Sequence, residues 1–285
     1  VSVKAFLQGA TERFEAAGIE SASVDADLLV CFVLGLSRGE LAARLAVSDF
    51  DLDSDAEAKL AEFATRREAR EPLQHLTGEA HFRNITLKVG KGVFVPRPET
   101  EWVTSLAVDV TKLAATPEPI VFDLCAGSGA IGLAIATEVP NAMVIGIEKS
   151  EDAFAYTSAN YEHLAPNNGR AILGDLSEAP HEFDGRVDVV ISNPPYIPDE
   201  MIPVYPEVAL HDPGLALYGG NDGLDVVRVV SETAKRLLHE GGNLVIEHAD
   251  MQGEAVRHLL LNDGWRQVRT HQDFNGRDRA ATAVR

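Results

Sequence analysis

From residue 120 onward, short apolar runs alternate with stretches of helical spacing, and this alternation restricts the fold more than any other feature of the chain. The runs are Ile120-Val121-Phe122, Val144-Ile145-Gly146-Ile147, Ala171-Ile172-Leu173, Val187 to Ile191 and Leu244-Val245-Ile246. A strand that is apolar on both faces must be covered on both, and a strand, helix, strand order brings helices to each side of a mainly parallel sheet. The expected class is α/β. Trp265 to His271 and Arg279 to Val284 complete it as a terminal antiparallel pair, giving a mainly parallel seven-stranded sheet.

The first third of the chain reads differently. Residues 1–71 carry helical spacing only, in Val3 to Ala17, Val24 to Leu34, Leu41 to Ala46 and Ala56 to Ala69. Gly18 and Gly35 sit where helices should stop, and Ser37 with Glu40 and Ser54 with Glu57 have capping-box spacing. A small helical bundle is expected, with Arg66, Arg67 and Arg70 as a solvated face of its last helix, which Pro72 ends. Residues 72–95 alternate in short segments, His81-Phe82-Arg83 and Ile85 to Val89, and predict a β-hairpin linker. The second domain, 96–285, opens with Pro96-Arg97-Pro98-Glu99-Thr100 and a helical pattern from Trp102 to Leu113. Ile197 to Asn221 reads as a long irregular loop that shapes a substrate pocket.

Composition removes several classes of function. The chain has 25 Lys and Arg against 44 Asp and Glu, a formal charge of -19. Nucleic-acid affinity draws largely on cationic side chains, so such a substrate is disfavoured. Cys31 and Cys125 each lie in an apolar run, which leaves no disulfide framework and no cysteine zinc site and fits a reducing cytosol. Lys4, Glu12, Arg13 and Glu15 interrupt the first segment, so neither a signal peptide nor a membrane span is expected.

Two segments carry chemistry. The strand at Ile120 runs into Cys125-Ala126-Gly127-Ser128-Gly129-Ala130-Ile131-Gly132 and then a helix. Glycines let a backbone turn sharply and approach a ligand, and a helix start offers free N–H groups. Glu148 closes the next strand, where a carboxylate can hold both hydroxyls of a ribose. A dinucleotide and S-adenosylmethionine both fit; Asp123, four residues before Gly127, would face a cationic amino-acid end better than a pyrophosphate. The plainer alternative is a glycine turn that serves helix packing alone. Cys125 reads as a small filler of this loop rather than a nucleophile.

The second segment is Asn193-Pro194-Pro195-Tyr196, at the end of the strand Val187 to Ile191. Consecutive prolines remove two donors and stiffen the chain, leaving bare carbonyls beside the Asn side chain. A planar NH2 group could donate to the Asn193 oxygen and the Pro194 carbonyl while Tyr196 packs on its plane. The lone pair of such a nitrogen is delocalised, and holding it in line among acceptors addresses that poor nucleophilicity. A tight structural loop or a proline-rich partner ligand is the bland alternative. His248, beside Glu247 at a strand end, reads as a structural hydrogen-bonding residue.

Taken with the loop Asp123 to Gly129, Asn-Pro-Pro-Tyr resembles the amino methyltransferases of class I, Rossmann-like fold, which modify adenine, guanine or glutamine nitrogens. Three further features narrow this to the HemK/PrmC family: the segment Phe94 to Glu101, the helical domain with its hairpin, and Pro206-Glu207-Val208 followed by Gly219 to Leu224. Those enzymes methylate the glutamine of the Gly-Gly-Gln motif in bacterial peptide chain release factors. The resemblance covers essentially the whole chain. It implies a cytoplasmic, S-adenosylmethionine-dependent protein-glutamine methyltransferase that yields S-adenosylhomocysteine, needs no metal, and has a release factor as partner, with no stable nucleic-acid or membrane partner. It further implies that Cys125, Ala126, Gly127, Ser128, Gly129 and Asn193 line the methyl donor, with Glu148 on the ribose and Asp175 and Leu176 at the adenine. Asn193, Pro194, Pro195 and Tyr196 would bind the glutamine amide, with Asn193, Pro194 and Tyr196 catalytic and the helical domain recognising the substrate. Arg97 and Glu99 are expected either to pair with each other or to line the donor site. The competing readings are an N6-adenine methyltransferase on DNA or RNA and, from another class, a dinucleotide-binding dehydrogenase or an inert nucleotide-binding module.

Overall fold

A computed structural model describes residues 1–285. In chain order it contains α1 (Val3–Ala16), α2 (Ala22–Leu34), α3 (Arg38–Val47), α4 (Ser54–Glu68), α5 (Leu73–Thr77), β1 (Glu79–Phe82), β2 (Ile85–Lys88), α6 (Pro98–Lys112), β3 (Ile120–Leu124) and α7 (Ala130–Glu138). Next come β4 (Met143–Glu148), α8 (Glu151–Leu164), β5 (Gly169–Leu173), β6 (Val187–Ser192), α9 (Pro206–His211), α10 (Gly214–Leu217), α11 (Asp225–Leu237), β7 (Leu238–Glu247), α12 (Gly253–Asn262), β8 (Arg266–Gln272) and β9 (Asp278–Val284). The chain divides into two compact units, residues 1–79 with 204–211, and residues 80–203 with 212–285. No helix is long and apolar enough to cross a membrane.

The first unit is a bundle around Phe14, Leu29, Val30, Leu60 and Phe63. Ser37 and Glu40 form a reciprocal capping box at the start of α3. The corresponding expectation for α4 is corrected by one residue: Asp53 is the cap, accepting from the Ala56 N–H at 2.8 Å. Two of the three arginines, Arg67 in α4 and Arg70 just past its end, are not part of a solvated face. Arg67 is 5% exposed and donates to Asp25 at 2.7 Å and to Glu207 at 2.9 Å. Arg70 donates to Glu207 at 2.6 Å and to the Ala17 carbonyl at 2.9 Å. Only Arg66 stays at the edge, pairing with Glu71. Helix α9, with Glu207, supplies the anion that draws the other two arginines inward. Helix α5 continues the bundle past residue 71, burying Leu76 in its core.

The second unit is a seven-stranded sheet in the order β5-β4-β3-β6-β7-β9-β8. The first five strands run parallel, and β9 inserts antiparallel between β7 and β8. One apolar layer joins Val103, Leu133, Tyr161 and Val144 to the hairpin residues Phe82 and Leu87. The hairpin β1–β2 is thus part of this core. The opposite layer joins Phe122, Leu124 and Ile145 to Val227, Val230, Leu260 and Trp265. The central strands bury both faces, as their near-continuous apolar runs require.

Candidate active site

Successive connections from β3 place β4 and β5 on one side of it and β6 and β7 on the other. The strand order reverses between β3 and β6, and ligands of open α/β sheets bind beyond the carboxyl ends of the strands at such a point. Leu124 pairs in register with Ser192, and the Ser192 hydroxyl donates to the Leu124 carbonyl at 2.6 Å. The glycine loop, 125–129, and the Asn-Pro-Pro-Tyr loop, 193–196, therefore leave the sheet side by side. Glu148 ends β4, Asp175 lies just past β5 and Glu247 ends β7, so acidic residues flank the two loops on both sides.

The glycine loop is held through its backbone. The Gly127 N–H donates to Glu148 Oε2 and the Ser150 N–H to Glu148 Oε1, each at 2.7 Å. Burial pushes the Glu148 carboxyl up, opposed by these N–H groups. Thr157 of α8 donates to the Gly127 carbonyl, and Asn160 of α8 donates to the carbonyls of Ser128 and Lys88, both at 2.9 Å. These two side chains carry no signal in the sequence; their place under the loop depends on how α8 packs beneath it. Gly127 has φ +56, and a Cβ built there meets nothing within 4 Å, so its open face admits a ligand directly against the main chain. Gly132 serves another purpose: a Cβ would lie 2.0 Å from the Tyr161 hydroxyl. The third glycine of the pattern thus answers to a buried tyrosine, as does the second, Gly129, where a Cβ would lie 3.0 Å from the Tyr161 ring, so the packing alternative holds for those two positions.

Asp123 presents no open surface. It is fully buried, one oxygen accepting from the Gly132 N–H at 2.9 Å and the other without a hydrogen-bond partner. Side chains alternate along a strand, and Phe122 and Leu124 occupy the layer opposite to α7, which turns Asp123 toward the start of α7 beneath the loop. Burial pushes its carboxyl up to about 7. Asp175 is more exposed; hydrogen bonds from the Ser177 hydroxyl and N–H and from Lys149 hold its carboxyl down at about 2. Leu176 is buried beside it. Cys125 carries φ +66, and burial pushes its thiol far above the ordinary range, which fits a filler and not a nucleophile.

On the neighbouring strand, Pro194 and Pro195 are buried while Asn193 and Tyr196 are half-buried. Neither proline carbonyl accepts a backbone hydrogen bond. Asn193 Nδ2 donates to Thr100 Oγ1 at 3.3 Å, and Thr100 Oγ1 donates to Glu247 Oε1 at 3.2 Å. Burial pushes the Tyr196 phenol up, reinforced by Glu247. The residues 197–221, expected to be irregular, contain α9 and α10. The chain then returns beside Asn-Pro-Pro-Tyr: a Cβ at Gly219 would lie 2.6 Å from the Pro195 carbonyl oxygen, and one at Gly223 2.2 Å from that of Tyr196. Gln252 also donates to the Tyr196 carbonyl, at 2.9 Å. Arg97 pairs with Asp212 at 2.6 Å and stacks on Phe94, so Asp212 and not Glu99 is its ion-pair partner. His248 is buried, with Nδ1 at 2.8 Å from the Ala249 carbonyl, as its structural reading requires.

A parallel sheet with a glycine loop and a rigid acceptor array at its switch point defines a Rossmann-like methyltransferase. A family model described as a methyltransferase domain matches residues 116–277, and one described as the PrmC N-terminal domain matches residues 5–78. The chain is 48% identical over 278 residues to the release factor glutamine methyltransferase of Streptomyces coelicolor, covering 96% of this chain and 95% of that protein. With the enzyme of the same name from Bifidobacterium longum it shares 43% over 279 residues, 95% and 89% of the two chains. The chain belongs to the release factor glutamine methyltransferase family. It is also 36% identical over 285 residues to the 4-amino-L-phenylalanine/4-methylamino-L-phenylalanine methyltransferase of Streptomyces pristinaespiralis, covering 98% of this chain and 94% of that one.

Proposed function

We propose that this enzyme methylates the side-chain amide nitrogen of the glutamine in the Gly-Gly-Gln motif of bacterial peptide chain release factors, using S-adenosylmethionine. The observation that carries the reading is the juxtaposition of the open face of Gly127 with the Asn193 amide and the bare Pro194 carbonyl at paired strand ends. The residues on the donor side fit the methyl donor. Gly127 offers close main-chain approach, Glu148 has lone pairs to spare for ribose hydroxyls, and Asp175 and Leu176 offer an acceptor and an apolar wall for adenine. When bound, S-adenosylmethionine supplies an electrophilic methyl group on a sulfonium sulfur.

The chain's own part is to bind and orient. Asn193 Oδ1 and the Pro194 carbonyl accept the two amide hydrogens, and Tyr196 covers the amide plane. That arrangement aims the nitrogen and favours the positive charge that grows on it, until its proton passes to water. The acceptors are neutral, so no charged base is buried against the substrate. The helical unit gives the release factor further surface to bind, and such remote binding energy helps hold the reacting groups in line. A substrate that works in translation places the enzyme in the cytoplasm, and the net charge of -19 disfavours a stable nucleic-acid complex.

An aryl amine presents the same delocalised NH2 to the same acceptors, and the 4-amino-L-phenylalanine relative favours it as a second reading. Labelled methyl donor is to be offered with intact release factor, with 4-amino-L-phenylalanine and with an adenine-containing oligonucleotide, and the products mapped by mass. Label on the Gly-Gly-Gln glutamine is expected; label confined to either of the other acceptors overturns the proposal.

A further inference from the structure

An asparagine side chain can lie either way round, and only one orientation serves an incoming NH2 group. With Oδ1 toward the substrate it accepts; turned over, it sets one NH2 against another. Thr100 removes the choice. Its hydroxyl has a single proton, which is given to Glu247 Oε1 at 3.2 Å, so only lone pairs face Asn193, whose Nδ2 stands 3.3 Å away. We propose that Glu247, acting through the Thr100 hydroxyl, fixes the amide of Asn193 with its oxygen toward the acceptor nitrogen. Both are positioning residues, and the inference rests on the reading of Asn193 as the acceptor clamp.

Several observations support the relay. Thr100 is 3% and Glu247 2% exposed, so water does not compete for either bond. Thr100 sits in the first turn of α6, and Glu247 ends β7, whose Ile246 is in register with Ser192 immediately before Asn193. Both ends of the relay are therefore on rigid elements. The second oxygen of Glu247 has no partner, which leaves Thr100 as its single hydrogen bond. The groups that face Glu247 are Thr100 and Glu99 from α6, Arg279 from β9 and Tyr196 after β6. Burial pushes its carboxyl up to about 7, against the pull of Arg279. Protonated, Glu247 would itself donate to Thr100, and the freed hydroxyl proton would favour the inverted amide. The relay is thus set above about pH 7 and lost as pH falls through that value.

Thr100→Val keeps the shape and removes the hydroxyl, while Thr100→Ser keeps the hydroxyl. With the acceptor that wild type uses, Thr100→Val is expected to lower kcat about 10- to 100-fold, with donor affinity within about twofold of wild type. Thr100→Ser should restore kcat to within about threefold, and in an Asn193→Ala background Thr100→Val should cost less than about twofold more. The wild-type rate should rise with pH through about 7, a limb that Thr100→Val lacks. Unchanged turnover in folded Thr100→Val, failure of Ser to restore it, or an undiminished loss in the Asn193→Ala background overturns the relay. Should Thr100→Val not fold, Glu247→Gln decides: glutamine can donate or accept, so the pH limb should vanish, and a retained limb overturns the proposal. A wild-type enzyme that ignores release factor but methylates another amine defeats the substrate reading alone, because each variant is compared with wild type on one acceptor.

Discussion

The glycine loop and the Asn-Pro-Pro-Tyr loop leave adjacent strands but are held in opposite ways. The first is a main-chain surface whose N–H and carbonyl groups are tied down by side chains from elsewhere, Glu148, Thr157 and Asn160. The second is stiff by its own prolines, and the acceptors we propose there are the Pro194 carbonyl and the side chain of Asn193, which is braced by Thr100 and Glu247. A surface built from many backbone groups spreads its binding energy, so a single change there should weaken affinity by degrees. A clamp that, on our proposal, depends on the placement of one side-chain amide should fail in turnover when that side chain is changed.

The largest expected effect tests the second half of that contrast. Asn193→Ala should lower turnover by about two orders of magnitude or more, the scale of losing one preorganised transition-state hydrogen bond, while calorimetry shows donor affinity nearly unchanged. Near-normal turnover would remove the distinction between the loops. Next in size, Glu148→Ala should weaken S-adenosylmethionine binding by about 1.5 to 3 kcal/mol, because ribose hydroxyls lose a charged acceptor and Gly127 loses its anchor. Glu148→Asp should recover part of this. Equal affinity of wild type and the alanine variant would show that the carboxylate serves the loop only.

Each loop also rests on a buried carboxyl, Asp123 under one and Glu247 behind the other, both pushed up to about 7. Their ordinary values are 3.8 and 4.5, so the folded protein binds more protons than the unfolded chain between those values and about 7. Stability therefore falls as pH rises across that window. Asp123→Asn should remove one share of the fall, making the loss between about pH 5 and pH 7 smaller by about 2 kcal/mol in urea melts. An unchanged slope would mean that Asp123 stays ionised when folded.

The sheet and both loops are legible in the sequence because long apolar runs fix the strands, and a loop that begins at a strand end is placed along with the strand. The supports are not. Which face of β3 meets α7 decides that Asp123 lies beneath the loop, and no local pattern states it. Glu247 comes to stand behind Asn193 because β7 pairs with β6, and Thr100 because α6 starts there; each fact belongs to the assembled sheet. Arg67 is misread as solvated for a similar reason, since its partner Glu207 lies 140 residues away. A three-residue cap such as Ser37 with Glu40 is local, and it appears as its spacing requires.

The smallest effect is expected where the two loops meet, at Cys125. Its φ of +66 lies in the left-handed region, which costs an ordinary residue roughly 1 kcal/mol. Cys125→Gly relieves that strain, but glycine adds freedom to the unfolded chain worth about 0.5 to 1 kcal/mol, so the two nearly cancel. The variant also gives up the contact of the thiol with Ser192. Net stability should change by less than about 1 kcal/mol in denaturant melts. Turnover should survive, since a thiol held protonated by burial forms no covalent intermediate and the N–H groups of the loop remain. Loss of turnover beyond about tenfold, with donor affinity intact, would put the cysteine in the chemistry and make the glycine loop, like its neighbour, dependent on a single side chain.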